Sequence, residues 1–185
     1  MRGQCPEEPQ LPTPPPKYPF QQAVVDLFHL AGEAYAAYAD RLTGWLEVKY
    51  LPTSTTSTRL ISIFGRWFRR FGIPEVLSCD GGTNLVSEET KTFLSTWRVQ
   101  LHVSSAHYPQ SNGRAEAAVK SAKRLLRGNT GHGGSLDSDA APTAILQYLN
   151  TPLQDTGISP AQLLMGRQLR DSVPATTERY LVTGR

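Results

Sequence analysis

Between Gln22 and Leu51 the chain carries three apolar, β-prone segments, "QAVVDLFHL", "AYAAYADRL" and "GWLEVKYL". Only Gly32 and Thr43-Gly44 punctuate them. Links this short join antiparallel neighbours, because a parallel return needs a crossover of a dozen residues or more. After Leu51 the pattern changes. "TRLISIFGRWFRRFG" places Leu60, Phe64, Trp67, Phe68 and Phe71 on one helical face, with Arg59, Arg66 and Arg70 elsewhere and Gly72 positioned to end the helix. "EVLSCD" reads as a fourth strand. "SEETKTFLSTWR" opens with the Ser and early acids of a helix start, and "VQLHVSS" reads as a fifth strand. The helix carrying Glu116 and two shorter ones, "APTAILQYLNT" and "SPAQLLMG", follow, with Pro142 and Pro160 suited to first turns. The order of elements predicts an α/β chain with a five-stranded mixed sheet: an antiparallel meander, then strands joined by helical crossovers.

The chain has 185 residues, enough for one cored domain plus flanking segments, and 39% of them are hydrophobic. Residues 1–19 hold seven of the fourteen prolines and read as an extended linker. The core is expected over 20–130, a flexible Gly/Ser-rich connector over 131–140, and C-terminal helices with a tail over 141–185. No apolar run reaches the length of a membrane span, and no signal peptide pattern opens the chain. Cys5 and Cys79 form no CxxC pair, which argues against a disulfide scaffold and fits a reducing compartment. His29, His102, His107 and His132 have no metal-ligand spacing.

Net charge is only +3, but its distribution is uneven. Arg98 to Arg127 holds six Lys/Arg against the single acid Glu116, and Arg59 to Arg70 holds four Arg against none. Stripes of this kind are solvated helix faces or polyanion contacts. Three acids stand out. Asp26 lies inside an apolar strand, where a charge is costly unless compensated. Asp80 ends the fourth strand before Gly81-Gly82, at the sheet edge where ligand sites form in open α/β folds. Glu116 lies one turn into the basic helix, with thirty-five residues between it and Asp80, enough for a helix, a strand and a loop to bring the chain back. Three carboxylates meeting with no Lys or Arg among them would repel, and a pair of hard divalent cations resolves that repulsion through oxygen ligands. Asp40 and Glu47 read as structural or surface acids, and Cys79 as a small core residue facing away from Asp80.

Asp26 in "VVDLF", Asp80 in "SCDGG" and Glu116 in "YPQSNGRAE" resemble the acidic triad of the retroviral integrase catalytic core. "DRLTGWLEV", "FGIPEVLSCDGGTN", "YPQSNGRAE" and "NTPLQDTGISPAQLLMGR" are closer to integrases of gypsy-type retrotransposons, and the similarity runs from about Pro19 to Pro174. The resemblance implies a ribonuclease-H-like fold and two Mg²⁺ or Mn²⁺ ions held by Asp26, Asp80 and Glu116. It also implies hydrolytic trimming of an element DNA end, followed by strand transfer into target DNA. Lys120, Lys123 and Arg127 share the Glu116 stripe and would pair with DNA phosphates, while Ala115, Ala118, Ala122 and Leu125 face the core. Tyr108 and Asn112, in the preceding loop, would contact the element end; as ordinary loop and turn residues they need have no ligand. The implied partners are element ends, target DNA and further copies of the chain, with neither a membrane nor a small-molecule substrate; the implied location is a cytoplasmic particle, then the nucleus.

Two positions depart from the family pattern: Gly81 replaces a common Asn and Leu85 a common aromatic. The His/His/Cys/Cys zinc domain and the basic C-terminal domain of complete integrases are not found in this chain, which implies a core fragment of a longer polyprotein or a degenerate element copy. Two other functions compete: a non-catalytic DNA- or partner-binding protein derived from an element, and a ribonuclease-H-like nuclease, which the "YPQSNGRAE" and "NTPLQ" segments disfavour.

Overall fold

The computed structural model describes residues 14–52, 56–80, 84–103 and 113–184. Strands β1 (Gln22–Leu30), β2 (Glu33–Asp40) and β3 (Leu46–Leu51) form the expected antiparallel meander. Helix α1 (Ser57–Phe71) leads to β4 (Val76–Cys79), and α2 (Glu88–Thr96) to β5 (Gln100–Val103). Both later strands join in parallel, giving the order β3-β2-β1-β4-β5. Helices α3 (Gly113–Leu126), α4 (Ala140–Asn150) and α5 (Pro160–Met165) complete the fold. No helix among the described residues is long and apolar enough to cross a membrane.

Helix ends follow local chemistry. The Thr56 and Ser87 side chains accept the Arg59 and Thr90 amides at the starts of α1 and α2, and Ser159 with Gln162 forms a capping box on α5. Gly72 ends α1 at φ 91°, which a side chain would oppose.

Because strand side chains alternate, the sheet has two apolar faces. Ala23, Val25, Ala36, Tyr38, Leu77 and Cys79 pack with Leu60, Phe64, Trp67 and Phe68 of α1. Tyr38 stacks on Trp67 with centroids 4.7 Å apart, and Phe20 on Phe71 at 4.4 Å. The opposite face joins Phe28, Ala37, Ala39 and Leu46 to Ala115, Ala118, Val119, Ala122 and Leu126 of α3. Alanines meet alanines here, so α3 lies close to the strands. Leu125, expected on this buried face, is half-exposed, and Val119 and Leu126 are buried in addition to the alanines. Leu85 is buried in the α1 face, and Cys79 faces the core as expected.

Strand β2 stops at Asp40 because its carboxylate turns inward. It accepts the Phe20 amide at 2.7 Å, the Thr43 amide at 3.0 Å and the Thr43 hydroxyl at 2.6 Å. These bonds hold Phe20 at φ 59° and shape the β2–β3 turn. Glu47 accepts the Trp45 indole and pairs with Arg70, a structural role like that of Asp40.

The connector expected to be flexible is tied to the sheet. A 3₁₀ turn at His132–Gly134 presents the Gly134 carbonyl to the Tyr35 hydroxyl at 2.8 Å and the Gly133 carbonyl to the Tyr50 hydroxyl. A Cβ on Gly134 would stand 2.9 Å from the Tyr35 oxygen, so the approach requires glycine. At the end of α4, Asn150 binds the Leu169 backbone through both its amide oxygen and its amide nitrogen, and fastens the C-terminal segment to the domain.

Asp40→Ala leaves the buried Phe20 and Thr43 donors without an acceptor. A loss of about 2–4 kcal/mol is expected, read from urea unfolding.

Candidate active site

Asp26 stands opposite Ala37 in the β1–β2 register, and Ala37 belongs to the face covered by α3. Asp26 therefore points under that helix. The parallel β1–β4 register pairs Val24 with Ser78, so the next same-face pair along the strands is Asp26 and Asp80. Their side chains interact directly. Burial pushes the Asp26 carboxyl above its ordinary range, and the charge of Asp80 pushes it the same way.

A cation opposes that shift. Lys123 Nζ lies 3.0 Å from Asp26 Oδ2 and 5.5 Å from the centre of the Phe28 ring. The Asp26 side chain is only 16% exposed and that of Lys123 42%, so the pair is partly sheltered from water. No ammonium was expected among these acids, and Lys123 was expected on DNA phosphates; in this structure it serves Asp26 instead.

Glu116 occupies the first turn of α3 and is exposed. Its charge acts on Arg41, whose half-buried guanidinium is lowered by desolvation and supported by Glu116. Arg41 Nη1 reaches Gln22 Oε1 at 3.4 Å, while its Nε is buried without a hydrogen-bond partner among the described residues. Arg114 anchors the same end of α3: Nε bonds Asp155 Oδ2 at 2.8 Å and Nη1 donates to the Leu42 carbonyl. At the other end, Leu126 and Leu30 line one cleft. Helix α3 therefore runs alongside β1 in the same sense, and the seven residues from Glu116 to Lys123 span about 10 Å of it.

Two of the three expected acids come together. The third lies on the helix that covers them, two turns short of the residue that touches Asp26. Among the described residues, no three His, Cys, Asp or Glu side chains form a group that could hold a metal ion. Lys120 and Arg127 are exposed on α3, as the stripe implied. Tyr108 and Asn112 lie outside the described residues, as do Gly81 and Gly82. Sequence reasoning missed Arg41 and Arg114. Their only signal was adjacency, one following Asp40 and the other standing two residues before Glu116.

No family model matches the chain. It is 30% identical over 177 residues, 92% of its length, to an uncharacterized protein of Caenorhabditis elegans. It is also 30% identical over 142 residues to the Pol polyprotein of feline endogenous virus ECE1, and 30% over 130 residues to the Gag-Pol polyprotein of koala retrovirus. These matches take in 75% and 70% of the chain. The chain spans only 14%, 13% and 8% of these three relatives. Its structure superposes on the catalytic core domain of BIV integrase with a TM-score of 0.63, covering 79% of this chain and 94% of that one at 15% identity. The chain is a Pol-polyprotein homologue with the integrase catalytic-core fold. It has the five-stranded ribonuclease-H-like sheet that its motifs implied.

The raised Asp26 carboxyl gives a pH signature. Ionising Asp26 costs more in the folded than in the unfolded chain. Stability from the protonated form is full below the ordinary carboxylate range and is lost as pH rises through the higher folded value. Asp26→Asn removes that cost. In metal-free buffer its Tm should exceed the parent's at about pH 7, and the gain should shrink towards about pH 3, as measured by thermal melts.

Proposed function

We propose that this integrase core performs metal-dependent 3′-end processing and DNA strand transfer for a retrotransposon of the gypsy type. One observation carries the reading: Asp26 and Asp80 lie side by side where β1 and β4 run parallel, beneath a helix with Glu116 in its first turn. The two aspartates fit a hard divalent cation, since they supply oxygen donors and an excess negative charge that already holds one ammonium. Asp26, Asp80 and Glu116 are the residues that would hold Mg²⁺ or Mn²⁺. When bound, the ion pair supplies activation of the attacking hydroxyl and stabilisation of the leaving oxygen.

The remaining work falls to the chain's own side chains. Lys120 and Arg127, exposed on α3, bind the DNA backbone, giving affinity and position rather than base discrimination. Lys123 joins them in the assembled complex, and Tyr108 and Asn112 meet the element end. Arg114 holds the start of α3 against the Leu42 carbonyl and Asp155, which sets where Glu116 stands. Element ends, target DNA and further copies of the chain are the partners, first in a cytoplasmic particle and then in the nucleus.

A second reading has one observation in its favour. The Lys123 ammonium on Asp26 offsets part of the site's charge without a metal, as suits an element-derived DNA-binding protein that no longer cuts.

Resealing of a branched DNA that mimics the integrated product separates the two. With Mn²⁺ the chain is expected to rejoin the target strand. Glu116→Gln should slow that reaction at least about a hundredfold, because electrostatic contributions of this kind are worth several kcal/mol. DNA binding without resealing would favour the non-catalytic reading. Lys120→Ala should lower the slope of log affinity against log salt by about one charge while leaving the melting temperature in place.

A further inference from the structure

We infer that Lys123 is a resident counter-cation of the acidic site: a divalent ion must displace its ammonium from Asp26, and the displaced lysine is then available to a DNA phosphate. The inference rests on the integrase reading and adds to it a competition between protein and metal for one carboxylate.

Three features of the pair support it. Lys123 Nζ sits 3.0 Å from Oδ2 of an aspartate whose side chain is only 16% exposed, so the Asp26 charge needs a cation close by. The ammonium also lies 5.5 Å from the Phe28 ring centre, a second attraction that holds it in place. The lysine is nonetheless 42% exposed, on a helix whose neighbouring cations Lys120 and Arg127 face solvent. Its head can leave Asp26 for that exposed side without unpacking α3, because Ala118, Val119 and Ala122 make the buried contacts.

A divalent ion carries twice the charge of the ammonium and takes oxygen ligands from Asp26 and Asp80 together, so it outcompetes Lys123 once present. An exchange of this kind links two binding events. Metal frees a phosphate-binding cation, so metal and DNA raise each other's affinity by the same factor, as linkage requires. Towards the other end of α3, the charge of Glu116 acts on Arg41, so the influence of protein cations is not confined to Asp26.

The test is Mn²⁺ binding to the full chain, by calorimetry, in the absence of DNA. Lys123→Met, which keeps the stem and loses the charge, should bind Mn²⁺ about tenfold tighter than the parent, whereas Lys123→Arg should stay near it. Lys120→Met, one turn away and exposed, should change Mn²⁺ affinity by less than about twofold. In a second measurement, Ca²⁺ should tighten binding of a mixed-sequence duplex by the parent more than by Lys123→Met. Equal Mn²⁺ affinity for the parent and Lys123→Met overturns the inference, as does an equal gain from Lys120→Met. If Asp26→Asn loses Mn²⁺ binding in that case, the integrase reading still stands. If Asp26→Asn and Asp80→Asn leave Mn²⁺ binding unaltered, the inference and the proposed metal site both fail.

Discussion

The parallel, in-register pairing of β1 with β4 puts two aspartates next to each other on a face roofed by a helix. In water two carboxylates would separate or share a counter-ion; here the backbone ladder holds them together and the packing of α3 limits their solvation. The charge has to be answered from nearby. Lys123 answers it, and can do so because the alanines of α3 and of β2 let the helix approach the sheet closely. Bulkier residues at Ala37 or Ala118 would lift the helix and remove Lys123 from reach of Asp26. The counter-charge of the two acids thus rests on a contact between small apolar residues, while the acids themselves are placed by the β1–β4 ladder.

The sheet is held rigid by features remote from that contact. On the α1 face, Tyr38, Trp67, Phe64 and Phe68 form an aromatic layer in which Tyr38 stacks on Trp67, Phe64 stacks on Phe68, and Phe64 meets Trp67 edge-on. At the start of β1, Asp40 satisfies the Phe20 and Thr43 donors and fixes where β2 ends. Arg41, the next residue, is thereby turned towards Gln22 and comes under the charge of Glu116. One buried carboxylate thus sets the position of the arginine that faces an exposed one.

Of the two acids nearest each other, one lies in β1 and the other directly follows β4, and the third belongs to a helix. Strand positions are fixed by hydrogen-bond register, which tolerates no gradual slip. A helix resting on small side chains is located along its axis by contacts at its ends, here Arg114 with Asp155 and Leu42 at one end and the Leu126 cleft at the other. The placement of Glu116 relative to Asp26 is thus set by different interactions from those that place Asp80.

Periodicity and turn residues were enough to read five strands, the α1, α2 and α3 helices, the Gly72 stop of α1, the Ser start of α2 and a mixed sheet, because those follow from interactions a few residues apart. The candidate acids were legible for a similar reason: a charge in "VVDLF" and an Asp at the end of "EVLSC" are anomalies in their own segments. The sequence by itself therefore determined the element order and the buried face of α1, and singled out three candidate acids. Only the tertiary structure decided that Lys123 and not Glu116 meets Asp26, that Arg41 comes under the charge of Glu116, and that the Gly-rich 131–140 segment is tied down by Tyr35 and Tyr50. Helical spacing tells which residues share a stripe, and Glu116 and Lys123 share one. It does not tell how far along the sheet that stripe lies, because this depends on packing between elements nearly a hundred residues apart in the chain.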